Sequence, residues 1–232
     1  MTWLTKLNRR LMAQTESGWL PGYVKSAYEA EQKLFYKKQL EKIGIPLSDK
    51  TILDVGCGPA QWLTVAADSK PAYMIGADYS SEMLRSAMDA GVKQNGIHLI
   101  RSDAMNVPLR DSIFDCVICS LLLPLIPSDQ RLVSELARVC KPNGRLLLSF
   151  HGLGFYLHHI FSERKLKYLV VLPVSWLSFL TGRKLLWNTY QSLSRVRRLL
   201  KKHGFEIDQV DQDWSYMGYP YIYYLVATRT DE

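Results

Sequence analysis

The chain has 232 residues, 47% of them hydrophobic, which excludes a disordered or fibrous protein and leaves room for one domain with a full core. With 29 basic and 22 acidic residues the formal charge is +7. That excess is compatible with nucleic acid, anionic lipid or an acidic substrate as partner, and equally with a plain basic surface.

In chain order, residues 1–45 read as an N-terminal helical segment. Trp3, Leu4, Leu7 and Leu11 share one side, and Gly18 with Pro21-Gly22 breaks the pattern before a second helix from about Val24 to Ile43. Its aromatic residues read as packing groups, with Tyr23 and Tyr28 as candidates for a ligand contact. The start of the chain has no continuous apolar stretch of the secretory kind, which sets the expected localisation as cytoplasmic.

From Thr51 strand and helix signals alternate. A short buried strand, Ile52-Leu-Asp-Val55, runs into Gly56-Cys-Gly-Pro59, and a helix follows from Gln61. Next come a strand over 72–77, a helix over 81–90, a strand over 97–100 and a loop over 102–111. A strand at Phe114–Ser120, a helix over 129–140, a Pro142-Asn-Gly144 turn and a strand over 145–150 complete the alternation. Strands separated by helices argue for a parallel α/β sheet covered on both faces.

Residues 152–188 interrupt this scheme with an aromatic and aliphatic insert. Its centre, Tyr168-Leu-Val-Val-Leu-Pro-Val-Ser-Trp-Leu-Ser-Phe-Leu180, is too short for an ordinary membrane span. Arg164, Lys165 and Lys167 precede it, and Arg183 and Lys184 follow, so a pocket lid, an interfacial segment and a dimer contact all stay open. A helix over 190–202 and strands over 206–210 and 221–229 close the chain, with an antiparallel hairpin expected at the end. The four cysteines, Cys57, Cys116, Cys119 and Cys140, form no disulfide framework. Cys116 and Cys119 lie three apart on a strand, hence on opposite faces, and cannot chelate one ion together.

The glycine turn after the first strand is the centre of the candidate site. Gly56 and Gly58 allow backbone to approach a ligand closely, but Gln61 stands where a phosphate-binding Gly-x-Gly-x-x-Gly pattern needs its last glycine. Asp54, two residues before Gly56, is poorly placed beside a pyrophosphate and well placed beside an ammonium group. That combination points to S-adenosylmethionine, a sulfonium cofactor with an amino acid tail and no phosphate. Asp78 ends the second strand, 22 positions after Gly56, where it can accept from ribose hydroxyls, with Tyr79 and Met83 beside it. Asp103 and the amide of Ala104 follow the third strand and suit the adenine ring. Ser120 ends the fourth strand beneath the expected methyl donor.

These motifs resemble the class I S-adenosylmethionine-dependent methyltransferases, in the small-molecule branch that includes ubiquinone and menaquinone biosynthesis enzymes. The resemblance is carried by Leu53-Asp-Val-Gly-Cys-Gly-Pro59, Gly76-Ala-Asp-Tyr-Ser-Ser-Glu-Met-Leu84, Ser102-Asp-Ala104 and Leu136-Ala-Arg-Val-Cys-Lys-Pro-Asn-Gly-Arg145. It implies a Rossmann-like, seven-stranded, mostly parallel sheet with helices on both faces, in a single methyltransferase domain spanning 1–232. It also implies methionine-side contacts at Asp54, Gly56 and Gly58, ribose at Asp78, and adenine at Asp103 and Ala104. The chain departs from its relatives in the apolar Leu121-Leu-Leu-Pro-Leu-Ile-Pro127 and in the 152–188 insert, which tilts the acceptor towards something hydrophobic.

The expected reaction is in-line methyl transfer to an O, N or C nucleophile of a small hydrophobic acceptor, governed by positioning. His151, just past the fifth strand, is the best-placed base, with His158 and His159 next. His98 and His203 read as structural. Protein methylation and noncatalytic cofactor binding are the alternatives. Nucleic acid is not an expected partner, because Ser120-Leu-Leu-Leu123 offers nothing to hold a flipped base. No metal site is expected, and peripheral contact with a membrane face or a homodimer would account for the insert.

Overall fold

The computed structural model describes residues 29–181 and 189–230. The expectations for Trp3, Leu4, Leu7, Leu11, Tyr23 and Tyr28 fall outside the described residues. So do those for Arg183, Lys184 and the side chain of Lys167.

The first described helix, α1 (Ala30–Ile43), ends at Gly44, whose left-handed backbone (φ 66°) turns its N–H onto the Leu40 carbonyl at 3.1 Å. Then follow β1 (Thr51–Val55), α2 (Gln61–Ala66), β2 (Tyr73–Asp78), α3 (Ser81–Asp89), β3 (Ile97–Arg101), β4 (Phe114–Ser120), α4 (Asp129–Val139) and β5 (Cys140–His151). The insert forms α5 (Leu153–Phe161) and α6 (Lys167–Thr181). Beyond it lie α7 (Leu193–Lys202), β6 (Phe205–Gln212), a small hairpin of β7 (Ser215–Tyr216) and β8 (Tyr219–Pro220), and β9 (Ile222–Arg229). Ser80, Ser128 and Ser192 cap α3, α4 and α7, each hydroxyl accepting from the third residue on at 3.3 Å.

Seven strands form one sheet in the order β3-β2-β1-β4-β5-β9-β6. All neighbours are parallel except β9, which runs antiparallel to both β5 and β6. After β1 the chain winds outward through β2 and β3, then returns to place β4 on the other side of β1. The carboxyl ends of β1 and β4 therefore face a switch point, where a crevice opens between diverging connections.

Period-two alternation decides which face each strand residue covers. Leu53, Val55, Val117, Cys119, Leu146 and Leu148 face α4 and α7, meeting Leu132, Leu136, Val196 and Leu200. Ile52, Met74, Cys116, Ile118, Leu147 and Val226 face the other way, onto Leu40, Ile43, Trp62, Leu63 and Ala66 of α1 and α2. Cys116 and Cys119 thus lie on opposite faces, and all four cysteines are buried free thiols.

Two expectations need correcting. Pro142-Asn-Gly144 is not a turn before the strand but an irregularity inside it. Cys140 pairs with Phe114, the register then shifts, and Arg145 resumes opposite Cys116. Asn143 absorbs the extra length in a left-handed conformation (φ 59°). The helix expected from residue 190 starts at Leu193, because Ser192 caps it.

The base of the sheet is tied by Asp115. It accepts from Thr51 N (2.9 Å) and Thr51 Oγ1 (2.7 Å) and pairs with Lys141 Nζ (2.9 Å). Burial works to raise its pKa, but the Lys141 and Thr51 hydrogen bonds hold it down at about 2.

Candidate cofactor site

The turn after β1 is built from three left-handed residues, Gly56 (φ 75°), Gly58 (φ 52°) and Ala60 (φ 61°). A Cβ on Gly56 would meet Leu122 Cδ2 at 2.8 Å, so the first glycine is demanded by both φ and space. At Gly58 a Cβ would find only Met83 Sδ at 4.0 Å, and φ alone makes the demand. The turn is held from β2. The N–H groups of Gly56 and Cys57 both donate to the Ala77 carbonyl (2.7 and 3.1 Å), and Gly58 N–H donates to Asp78 Oδ2 (2.8 Å).

Asp54 is fully buried, and neither of its carboxylate oxygens has a hydrogen-bond partner among the described residues. Burial, reinforced by the charge of Asp78, raises its pKa well above the ordinary carboxylate value. A buried, unsatisfied acid is costly unless a proton or a cation joins it. Asp78 is different. Burial raises it too, but Ser80 N–H (2.8 Å on Oδ1) and Gly58 N–H pull the other way, and each oxygen keeps acceptor capacity.

The remaining predicted residues divide. Tyr79 is exposed at the rim, with Arg101 donating Nε–H to its carbonyl (3.1 Å) and the guanidinium 5.7 Å from its ring centroid. Met83 is buried in the first turn of α3, next to Gly58. Asp103 Oδ1 accepts from Met105 N–H (3.0 Å), folding the loop after β3 into a tight turn in which Ala104 packs against the core. Ser120 shares a hydroxyl hydrogen bond with Ser149 (2.8 Å), and Ser149 Oγ also accepts from Leu121 N–H (3.1 Å). Ser120 therefore joins the ends of β4 and β5 at the switch point.

His151 lies at the end of β5, stacked on Phe155 of α5 with ring centroids 3.7 Å apart. Its Nδ1 is buried without a hydrogen bond, and burial, with His159 nearby, lowers its pKa to about 3. It is a neutral imidazole throughout the physiological range.

Sequence reasoning missed three features. Asp78 braces the glycine turn by accepting from Gly58 N–H. Ser102 Oγ, one residue past β3, is buried with no hydrogen-bond partner, while its N–H donates to the Asp78 carbonyl at 2.9 Å. Arg138 fixes the loop before β4 through the carbonyls of Val107 (2.9 Å) and Leu109 (2.8 Å) and through Glu135 (2.6 Å). Only Ser102 carried a signal, as a hydroxyl directly beside the predicted adenine acid.

Two acids in one buried crevice, both with raised pKa, disfavour a pyrophosphate and favour a cationic ligand. S-Adenosylmethionine fits this donor set, since its ammonium can satisfy Asp54, its ribose hydroxyls Asp78, and it brings no phosphate.

Comparison with known proteins agrees. The methyltransferase domain family matches residues 53–148. Demethylmenaquinone methyltransferase of Staphylococcus haemolyticus is 31% identical over 119 residues, covering 50% of this chain and 49% of the relative. The Bacillus licheniformis protein of the same name is 31% identical over 119 residues, covering 50% and 51%. The chain thus spans about half the length of the curated relatives it matches. Among solved structures, an S-adenosylmethionine-dependent methyltransferase from Mesorhizobium loti superposes with a TM-score of 0.64 at 20% identity, covering 87% of this chain and 99% of that one. Another from Aquifex aeolicus gives 0.64 at 19%, covering 90% and 98%. At such identities these two establish the fold. Domain match, glycine turn and sheet order together show a methyltransferase domain at residues 53–148 within a Rossmann-like fold, similar over about half the chain to the demethylmenaquinone methyltransferases.

Proposed function

We propose that the protein transfers the methyl group of S-adenosylmethionine to a small hydrophobic acceptor lodged between the switch point and the insert. The observation that carries this reading is the buried, unpartnered Asp54 beside Asp78 at the glycine turn. The cofactor supplies an electrophilic methyl on sulfur. The chain's own residues bind, orient and exclude water. Asp54 would receive the ammonium, Gly56 and Gly58 would give the methionine tail close backbone, and Asp78 would accept from the ribose. Tyr79 and Met83 would flank the nucleoside, Asp103 and Ala104 would meet the adenine, and Ser120 would lie below the reacting end.

The acceptor side is aromatic. His151 and Phe155 are joined by Tyr156, Tyr168 and Tyr221, with Phe155 ring centroids 5.3, 5.8 and 5.2 Å from the three tyrosines. Such a wall suits a flat apolar ring, and the demethylmenaquinone methyltransferases among the relatives make a quinol-like acceptor the first to try. The insert would then act as a cap. His151, neutral and with Nδ1 unengaged, would orient an acceptor hydroxyl by accepting its hydrogen bond, and proximity would supply most of the rate.

The test is incubation with methyl-labelled cofactor and reduced naphthoquinone acceptors, followed by organic extraction. Label in the extract, dependent on protein and acceptor, is expected. His151→Gln should lower kcat with cofactor affinity intact, and the pH profile of the parent should show no break near 6.5 from this group. Label recovered on protein instead would favour protein methylation, and none anywhere would leave a noncatalytic binding protein.

A further inference from the structure

The distal end of α5 carries a group of side chains to which the proposed methyl transfer assigns no role. One ligand atom from each of His158, His159 and Glu163 lies within 4.8 Å of the other two. His159 Nδ1 stands 3.5 Å from Glu163 Oε2, and His158 Nδ1 stands 3.8 Å from Oε1. These separations are at or beyond the limit of a hydrogen bond. They are close to the spacing of neighbouring ligands around a tetrahedral zinc ion, about 3.4 Å for bonds of about 2.0–2.2 Å. His158 Nδ1 is also shut off from solvent and makes no hydrogen bond among the described residues.

We propose that His158, His159 and Glu163 form a binding site for a divalent transition-metal ion, zinc foremost. Two imidazole nitrogens with one carboxylate oxygen make a borderline donor set, which suits zinc, nickel or copper rather than magnesium or calcium. The imidazoles are already oriented by rings. His158 has Trp214 edge-on at 5.5 Å and Tyr216 at 5.1 Å, and His159 has Phe155 at 4.2 Å and Tyr168 at 4.9 Å. Fixed ligands lose little freedom when an ion arrives.

The ion has a rival on the page. Lys165 Nζ lies 2.5 Å from Glu163 Oε2 and, with the nearby histidines, keeps that carboxyl ionised. The Lys165 side chain is about half exposed, at 49%, so it can leave for water when a doubly charged ion takes its place. Metal and ammonium thus compete for one carboxylate. The ion would bind the end of α5 to the turn that leads into α6, where Arg164 is left-handed (φ 51°), and so fix the angle between the two insert helices.

Equilibrium dialysis of the full, tag-free chain against zinc, with cobalt substitution read as a visible absorption band, tests this directly and needs neither cofactor nor acceptor. One ion per chain is expected. His158→Gln and Glu163→Gln should each weaken binding by at least about tenfold, with circular dichroism unchanged. Lys165→Met should strengthen it, an outcome that no structural disturbance would mimic. The proposal is overturned if the parent takes up no stoichiometric ion, if either glutamine variant binds as the parent does, or if Lys165→Met fails to tighten binding.

Discussion

The tips of β1 and β2 and the α5–α6 insert are made by different physics. At the strand tips the backbone is specified atom by atom. Four N–H groups of the glycine turn and the α3 entry are committed to Ala77 O and Asp78, and the side chains that remain are acidic. In the insert the contacts are ring on ring, with Phe155, Tyr156, Tyr168 and Tyr190 packed at centroid distances of 5.3–5.9 Å. Directional hydrogen bonds select one ligand, whereas apolar walls accept any molecule of suitable shape. The strand tips are therefore constrained to one chemistry, and the insert is the part whose side chains can change without disturbing the sheet.

Asp78→Ala should break this division most severely. It removes the acceptor of two backbone N–H groups as well as the proposed ribose contact, and charge-assisted bonds contribute about 1.5–3 kcal/mol each. Calorimetry should show cofactor affinity reduced by about a hundredfold or more, while acceptor binding to the insert is spared.

Asp54→Asn should separate ligand binding from stability. The folded-state pKa of Asp54 lies above its unfolded value, so the unfolded chain holds fewer protons and stability falls as pH rises from about 4 towards the raised folded value. An amide does not ionise. The cofactor-free variant should gain about 1–3 kcal/mol at neutral pH, seen as a Tm higher by several degrees, while cofactor affinity drops. A variant both less stable and cofactor-competent would show that Asp54 is a structural group.

Trp176→Ser should have the smallest effect on the fold. Trp176 is 67% exposed, so stability should stay within about 0.5 kcal/mol and cofactor affinity should not change. A raised acceptor KM in that variant would place Trp176 on the acceptor's path. Lost sedimentation with anionic vesicles would instead assign the exposed Leu169, Val170 and Trp176 to a bilayer surface. None of the described helices is long and apolar enough to cross a membrane.

The strand tips were legible in the sequence because their demands fall on residue types. A left-handed turn against Leu122 requires glycine at 56, and an acid at a strand end is conspicuous. The alternation of strands with helices from Thr51 to Phe150 likewise announced a sheet covered on both sides. What stayed hidden depends on partners far along the chain. Pro142-Asn-Gly144 looks like a turn in isolation, and only the pairing of Cys140 with Phe114 keeps it inside β5. Nothing local to Ser120 announces Ser149, which shares its hydrogen bond from the next strand. The insert's apolar character was plain, but its division into two helices was not. Pro173 sits inside α6 where a break would be expected, and Ser175 and Ser178 turn their hydroxyls back on the Val171 and Val174 carbonyls.

The placement of β9 has a consequence for how the molecule is made. β9 fills the gap between β5 and β6, and β6 has no other neighbour in the sheet. During synthesis β5 must wait, one ladder open, while the roughly seventy residues between His151 and Ile222 emerge. At about 5–20 residues per second that wait lasts several seconds, with a strand as apolar as Leu146-Leu-Leu-Ser-Phe150 presenting an unpaired edge. The insert helices are born in this interval, directly after β5. Their aromatic residues are the first large apolar surface made after that strand, and until β9 arrives the ladder they follow has no partner on that side.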